Sequence, residues 1–392
     1  MKLSQIQISV ELRLLAILSR PILNELHIQE ASTLIPSVEI ARFRKLLDHH
    51  RVWPCVHCNI RDHFSTNFDQ ALISYLEKKY KQNIDQSKKQ FMAYGEILCA
   101  FKQAGIVVRT LKGIPLAKRL YGDQVKRSSR DIDLLIPMGS FALAHSTLCD
   151  IGFKAKQYDE LSAGQQGEFF SCLKDVSYLN RDGVLLELHV RLCEHETVLS
   201  KELTERLIRS EEKNDTDELI YLSWHGAHSL FHRIKWVLDI ALYIDKYFLD
   251  SDVDLDELLA AADKHDEARS LMLAMVLAHV LYGVVLPDRV MKRCTSDKAL
   301  LFLLRMSLKT IESPERYFTV KSTFEAYLCE FLLPKRYVTK FKVLVKNWKP
   351  NPHDRVFFSY IPDKFYWALV LLRPFRLVYM RTLGRSKVVG VQ

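Results

Sequence analysis

Asp131 and Asp133 stand one residue apart in RSSRDIDLLIP, and Ile132 with the run Leu134-Leu135-Ile136 marks the stretch as a largely buried strand. A strand alternates its side chains, so the two carboxylates share a face. Side by side at a strand head they repel unless a cation sits between them. Divalent-metal binding for phosphoryl or nucleotidyl transfer is the chemistry that uses such a pair. Glu187 is the third carboxylate, in LLELHV, where Leu185, Glu187 and His189 share one face. On a neighbouring strand of the same sheet it would sit opposite the pair. Three carboxylates converging at a sheet end can hold two Mg²⁺ ions about 3.5–4 Å apart, clamping the attacking and leaving oxygens of an in-line displacement. Without metal such anions repel, or their pKa values rise.

Gly113 follows Lys112 where a β-rich run, IVVRTL (106–111), turns into a short helix, IPLAKRLY (114–121), with Pro115 in its first turn. A glycine there lets phosphate oxygens approach the backbone N–H groups of a helix N-terminus, and Lys112 adds a point charge for a triphosphate. DIDLLIP (131–137) is the aspartate strand, SFALAHSTLCDIG a helix ended by Gly152, and FKAKQY an edge strand. DVSYLN and VLLELHV flank Arg181-Asp182-Gly183, a hairpin turn. The order β-α-β-α-β-β-β predicts a small α/β unit with a mixed sheet, because a hairpin imposes antiparallel pairing.

Helices surround this unit. Apolar residues at three- and four-residue spacing in SVELRLLAIL, ALISYLEKKY and KKQFMAYGEILCAFKQAG predict a helical region over 1–103, with the α/β core at 104–195. A helical domain follows over 196–330 and a basic helical segment over 331–392. The fold class expected is therefore α+β. Within the third part LIYLSWHGAHSLFHRIKWVLDIALYI reads as one long helix, with His225, His228 and His232 at i, i+3 and i+7 on one face. Packing of that helix against the sheet would point His225 or His228 at substrate, Arg233 and Lys235 could meet nucleotide phosphate, and Asp239 would pair with one of those cations.

The apolar fraction of 48% and charged fraction of 26% are those of a globular chain, which excludes disorder as the default. The net charge of +9 is uneven: residues 331–392 hold thirteen Lys and Arg against Asp354 and Asp363. Such a tail suits nucleic acid, an anionic membrane surface or an acidic partner, and equally a solubilised helix face. Eight scattered cysteines without a secretory signal before them fit free thiols in a reducing cytoplasm. Cys55 and Cys58 lack a second pair for zinc. Ser270–Leu286 reads as a buried core helix rather than a span. FYWALVLLRPFRLVYMRTL, with three arginines and a proline, argues against spanning but permits an interfacial helix, so the protein could lie peripheral to the membrane.

LKGIPLAKRLYGD, RSSRDIDLLIP and LLELHVRL resemble the uncharacterised nucleotidyltransferase family of the polymerase-β-like superfamily. Its pattern runs Leu-Lys-Gly, then Arg-x-x-x-Asp-Ile-Asp-Leu, then an acidic-Leu-His strand. YLSWHGAHSLFHRIKWVLDIA is similar to the family's helical motif, and IPDKFYWALVLLRPFRL to its closing segment. The resemblance implies a polymerase-β-like core in which Asp131, Asp133 and Glu187 are metal ligands and catalytic residues, while Lys112 and Gly113 line the triphosphate site. Arg127 matches the family's arginine and would also serve phosphate. The Lys-Gly turn departs from the superfamily's usual Gly-Ser or Gly-Gly.

The function expected is transfer of an NMP from an NTP, with ATP the expected donor, to an acceptor hydroxyl or phosphate with release of pyrophosphate. The cofactor would be two Mg²⁺, or Mn²⁺ in their place. A small molecule or glycan precursor is the favoured acceptor. The alternatives are a toxin-like enzyme acting on RNA or protein, which the basic tail favours, and a catalytically silent nucleotide-binding or scaffold protein.

Overall fold

The fold is that of a computed structural model describing residues 6–382 apart from 163, 165, 167–168, 171–172, 194–200, 210–214, 249–254, 314–319, 349–353, 355–356 and 359. It is α+β, a small mixed sheet set among helices. The strands are β1 (Arg109–Thr110), β2 (Asp131–Leu135), β3 (Asp175–Leu179) and β4 (Leu185–His189), in the order β1-β2-β4-β3. β2 runs parallel to β4, and the two outer pairings are antiparallel.

One sheet face is apolar. Ile132, Leu134, Leu186, Leu188, Val176 and Tyr178 are buried there. They pack with Ala93, Ile97 and Phe101 of the Gln70–Gln103 helix and with Phe141, Ala144 and Leu148 of the Phe141–Asp150 helix. The long helix, about 50 Å from end to end, reaches a second and larger core through Leu72 and Leu76. That core extends from Leu12 to Val343 and takes in the Asp215–His228, Ile234–Tyr247 and Ala268–Tyr282 helices. Midway along the long helix, the Asn83 amide donates to the Val125 carbonyl at 2.8 Å and Gln90 to the Ser129 carbonyl at 3.4 Å. These bonds fix the segment that leads into Asp131.

Several expectations need correction. IVVRTL is strand only at Arg109–Thr110, with one further bond from the Leu111 N–H to the Asp133 carbonyl at 3.1 Å. FKAKQY is no strand: Lys154 makes a single bridge to Leu179, and a one-turn helix, Lys156–Asp159, takes the remainder. The long helix expected from 219 onward is two helices, ending at His228 and restarting at Ile234. Between them the Phe231 N–H donates to the Gly226 carbonyl at 2.7 Å and the Leu230 N–H to the Ala227 carbonyl at 2.9 Å. This is a Schellman termination, and its left-handed residue is Leu230 (φ 50°), followed by Phe231 (φ 46°), where glycine is usual. The Phe231 ring folds onto Gly226 so closely that a Cβ at 226 would lie 2.1 Å from it. Periodicity ran through the break because the apolar residues that build the turn keep helical spacing. Ala268–Tyr282 is buried on nearly every side, as expected of a core helix. No helix among the described residues is long and apolar enough to cross a membrane.

Candidate metal and phosphate site

The polar face of the sheet carries the chemistry. Parallel pairing sets Asp133 beside Glu187 and Leu135 beside His189, and antiparallel pairing sets Asp175 beside His189. Because side chains alternate, Asp131, Asp133, Glu187, His189 and Asp175 all lie on this one face. The glutamate is thus on the strand next to the aspartate pair, in register with its second member.

Asp133 is fully buried and His189 is 1% exposed. Lys112 Nζ stands 3.2 Å from Asp133 Oδ1. His189 Nε2 lies 3.4 Å from the same oxygen and 3.6 Å from Glu187 Oε2, while its Nδ1 is 3.6 Å from Asp175 Oδ2. Lys174 Nζ reaches Asp175 Oδ2 at 3.1 Å. These are ion contacts without hydrogen-bond alignment: neither Asp133 oxygen and neither His189 nitrogen has a hydrogen-bond partner among the described residues. A buried carboxylate left in that state is costly. One ligand atom each from Asp133, Glu187 and His189 lie within 4.8 Å of one another, a spacing that suits a shared cation. Asp131, two residues before Asp133 at the strand head, falls outside that group, and its Oδ1 is reached by Ser129 Oγ at 3.4 Å.

The titration behaviour follows from this crowding. Burial pushes the Asp133 carboxyl up, but Lys112 and His189 overcome it and hold the group well below the usual carboxylate range. Glu187 goes the other way. Burial raises it, and the charges of Asp133, Asp131 and Asp175 raise it further against the opposing pull of His189. Among these acids one is held ionised by a lysine, and another is the group most in need of a cation.

Lys112 and Gly113 connect β1 to the Ile114–Tyr121 helix. Gly113 has φ 82° and ψ −133°, a conformation that glycine alone adopts readily. Its missing Cβ would lie 3.9 Å from the Asp131 carbonyl, so the N-terminus of this helix meets the head of β2. The Asp215–His228 helix covers the face with Tyr221 and His225, one turn apart. Burial and then the charges of Lys112 and Lys174 keep His225 well below its ordinary value, hence neutral. Lys235 approaches from the next helix, its Nζ donating to the Ser128 carbonyl at 2.8 Å. Burial, then Arg127, lowers Lys235 to about 7, while Asp131 works against the shift.

A cleft of about 750 Å³ opens at the head of β2 and β4, lined by Ser128, Ser129, Leu185 and the cations Arg51, Lys79, Arg130 and Lys154, with no acid among its lining residues. Arg51 is held in the left-handed region at φ 55°. A second cavity, about 590 Å³, lies at the opposite end of the same strands by Pro137 and Val190 and includes none of the carboxylates. Neither cavity is lined by the carboxylates themselves; the first comes nearer to them, because its Ser129 reaches Asp131.

Other expected site residues lie elsewhere. Arg127 is buried, and its Nε and Nη2 donate to Asp239 at 2.8 and 2.7 Å. His228 Nδ1 is 3.8 Å from Glu330, a residue of the Val320–Leu332 helix. Arg233 sits at the start of the Ile234–Tyr247 helix, where its charge adds to the effect of burial in lowering His49, His50 and His232. His232 lies in the turn and not on a face shared with His225 and His228. Asp239 pairs with Arg127 rather than with the nearby cations expected. Burial pushes the Cys55 thiol up to about 12, and it donates to the Lys126 carbonyl at 3.4 Å.

The sequence reading had no role for His189, Asp175, Lys174 or Tyr221. Glu187-x-His189 carried a signal, since residues two apart on a strand share a face. Lys174 and Asp175 carried none, because their approach depends on the register of β3 against β4. A family model described as an uncharacterised nucleotidyltransferase matches residues 36–283, which include every residue placed above on the sheet face and the cleft. No curated protein and no solved structure matches.

Proposed function

The chain belongs to the uncharacterised nucleotidyltransferase family, and on that premise we propose that it transfers an NMP from an NTP, ATP in the first instance, to an acceptor hydroxyl or phosphate with release of pyrophosphate. The observation that carries this is Asp133, fully buried, both of its oxygens without a hydrogen-bond partner, and in register with Glu187. Such a donor set, rich in carboxylate oxygen, fits Mg²⁺. Asp131, Asp133 and Glu187 would hold two ions, with Mn²⁺ as a substitute and His189 as the nitrogen donor at hand. Mg²⁺ bound there supplies charge neutralisation of the phosphates and a lowered pKa for the acceptor hydroxyl.

The rest is the work of the chain's own residues. Lys112 holds Asp133 ionised. Gly113 opens the helix N-terminus to phosphate oxygens, and Lys235, lowered to about 7 by burial, would regain its full charge beside a phosphate. Neutral His225 closes the polar face from above. The cleft's four cations suit the triphosphate, and its volume lies in the range of small-molecule sites, which favours a small acceptor or glycan precursor over a macromolecule. Free thiols at Cys55, Cys58 and the other described cysteines agree with a reducing cytoplasm.

The test is calorimetric ATP binding with and without Mg²⁺, paired with pyrophosphate release. ATP should bind more tightly with Mg²⁺, and Asp133→Asn and Glu187→Gln should each remove that gain and cut release by at least about a thousandfold. ATP affinity indifferent to Mg²⁺ and to both variants would sink the reading.

A further inference from the structure

The Tyr337–Trp348 helix is amphipathic the wrong way round. Tyr337, Val338, Phe341, Leu344, Val345 and Trp348 are all exposed, at spacings that place them on a single stripe, while Thr339 and Val343 are the positions turned inward. The Leu369–Thr382 helix repeats the pattern with exposed Leu371, Phe375 and Tyr379 at four-residue intervals. Phe324 and Leu328 do the same on the Val320–Leu332 helix, which packs against both. Fifteen of the twenty-four large apolar side chains exposed among the described residues lie from Phe324 onward. Apolar surface so concentrated marks a contact face rather than ordinary scatter.

The charges beside the stripe identify the occupant. Lys335–Trp348 contains five cations and no acid. Lys342 is exposed between stripe residues, and Lys340 lies over the Phe331 and Tyr337 rings with its Nζ 5.2 and 5.8 Å from their centroids. Protein interfaces are depleted in lysine. The boundary between lipid headgroups and acyl chains favours tryptophan and tyrosine with lysines snorkelling to the phosphates. No described helix can span a bilayer, so contact would be in the plane of the surface. We propose that the exposed apolar faces of the Val320–Leu332, Tyr337–Trp348 and Leu369–Thr382 helices seat the protein on an anionic phospholipid membrane, aromatic stripe in the headgroup layer and lysines against lipid phosphate. The surface lies wholly outside the residues matched by the family, and the proposal does not rest on the catalytic reading.

The experiment is co-sedimentation of the full chain with phosphatidylcholine vesicles, with and without 30% phosphatidylglycerol, alongside analytical ultracentrifugation without lipid. The expected result is partitioning at least about tenfold stronger onto the anionic vesicles, weakened by salt. Phe341→Glu with Trp348→Glu should abolish it while circular dichroism and ATP binding stay unchanged, because both side chains are exposed. Lys340→Glu with Lys342→Glu should erase the preference for anionic lipid. Failure to bind either vesicle would overturn the proposal. So would a dimer that the Phe341→Glu, Trp348→Glu variant dissociates while vesicle binding persists, since the stripe would then join two copies of the chain.

Discussion

Two buried clusters of acid and base in this molecule are made of the same ingredients and reach opposite ends. Around Asp239 the accounting closes: Arg127 donates twice, at 2.8 and 2.7 Å, and Tyr121 Oη donates once, at 2.8 Å. Around Asp133 it does not close. Lys112 and His189 stand at 3.2 and 3.4 Å without hydrogen-bond geometry, and Glu187 adds repulsion. Hydrogen-bond saturation makes the first cluster a clasp between the Ile114–Tyr121 helix, the segment leading into β2 and the Ile234–Tyr247 helix. The deficit in the second is what a metal and a triphosphate would fill. Burial and charge alone do not distinguish structure from function here; satisfaction does.

The contrast can be broken most sharply by matched substitutions. Asp239→Asn leaves the Arg127 guanidinium buried without its counter-charge and should destabilise the fold by about 3–5 kcal/mol in denaturant unfolding. Asp133→Asn, equally buried, should cost far less, because Lys112 keeps Asp131 and Glu187 nearby and a repulsion is relieved. Equal losses in the two variants would show that both clusters are structural.

A smaller effect is expected at the turn that frames the covering helix. Gly226→Ala would drive a Cβ to 2.1 Å from the Phe231 ring, so the ring or the turn must move, at about 1–3 kcal/mol. His225 is one residue away, so ATP affinity should fall together with stability. A variant losing stability alone would detach the turn from the site.

The smallest effect is a pH slope on the structural side. His50 Nδ1 accepts the Ile234 N–H at 3.1 Å, and its Nε2, also at 3.1 Å, donates to the Ile311 carbonyl, which requires the neutral ring. Burial, then His49 and Arg233, hold His50 well below its ordinary value near 6.5. A depressed histidine contributes stability above the unfolded pKa, and that contribution is lost as pH falls. His49, lowered to about 4, and His232, lowered to about 3, act in the same direction. Unfolding midpoints should therefore drop from pH 7.5 to pH 5, with a shallower slope in His50→Gln. A midpoint that is flat across this range in the parent chain would rule out the neutral His50 ring as a source of stability.

The shared face of the carboxylates was legible from alternation. Asp131 and Asp133 share a face by spacing, and Glu187 lies on a strand whose hairpin was marked by Arg181-Asp182-Gly183. The helix at 114–121 was legible from Pro115 and Gly113. What failed had a common cause. Gly226 and Phe231 make a turn by a side chain folding back five residues, which periodicity does not register. Arg127 and Asp239 are 112 residues apart, and Lys174 reaches the site only through the pairing of β3 with β4. His189 stood in plain sight beside Glu187, yet its role depends on Asp175 arriving from the neighbouring strand.

Local chemistry written in the chain determined the α+β class and the polar and apolar faces of each strand, since these follow from alternation and turn residues within a few positions. Only the tertiary structure decided which charged groups are satisfied and which are left waiting. Hydrogen bonding depends on angles and distances between segments far apart in sequence, and a buried aspartate is saturated, as Asp239 is, or left unsatisfied, as Asp133 is, according to what the fold brings against it.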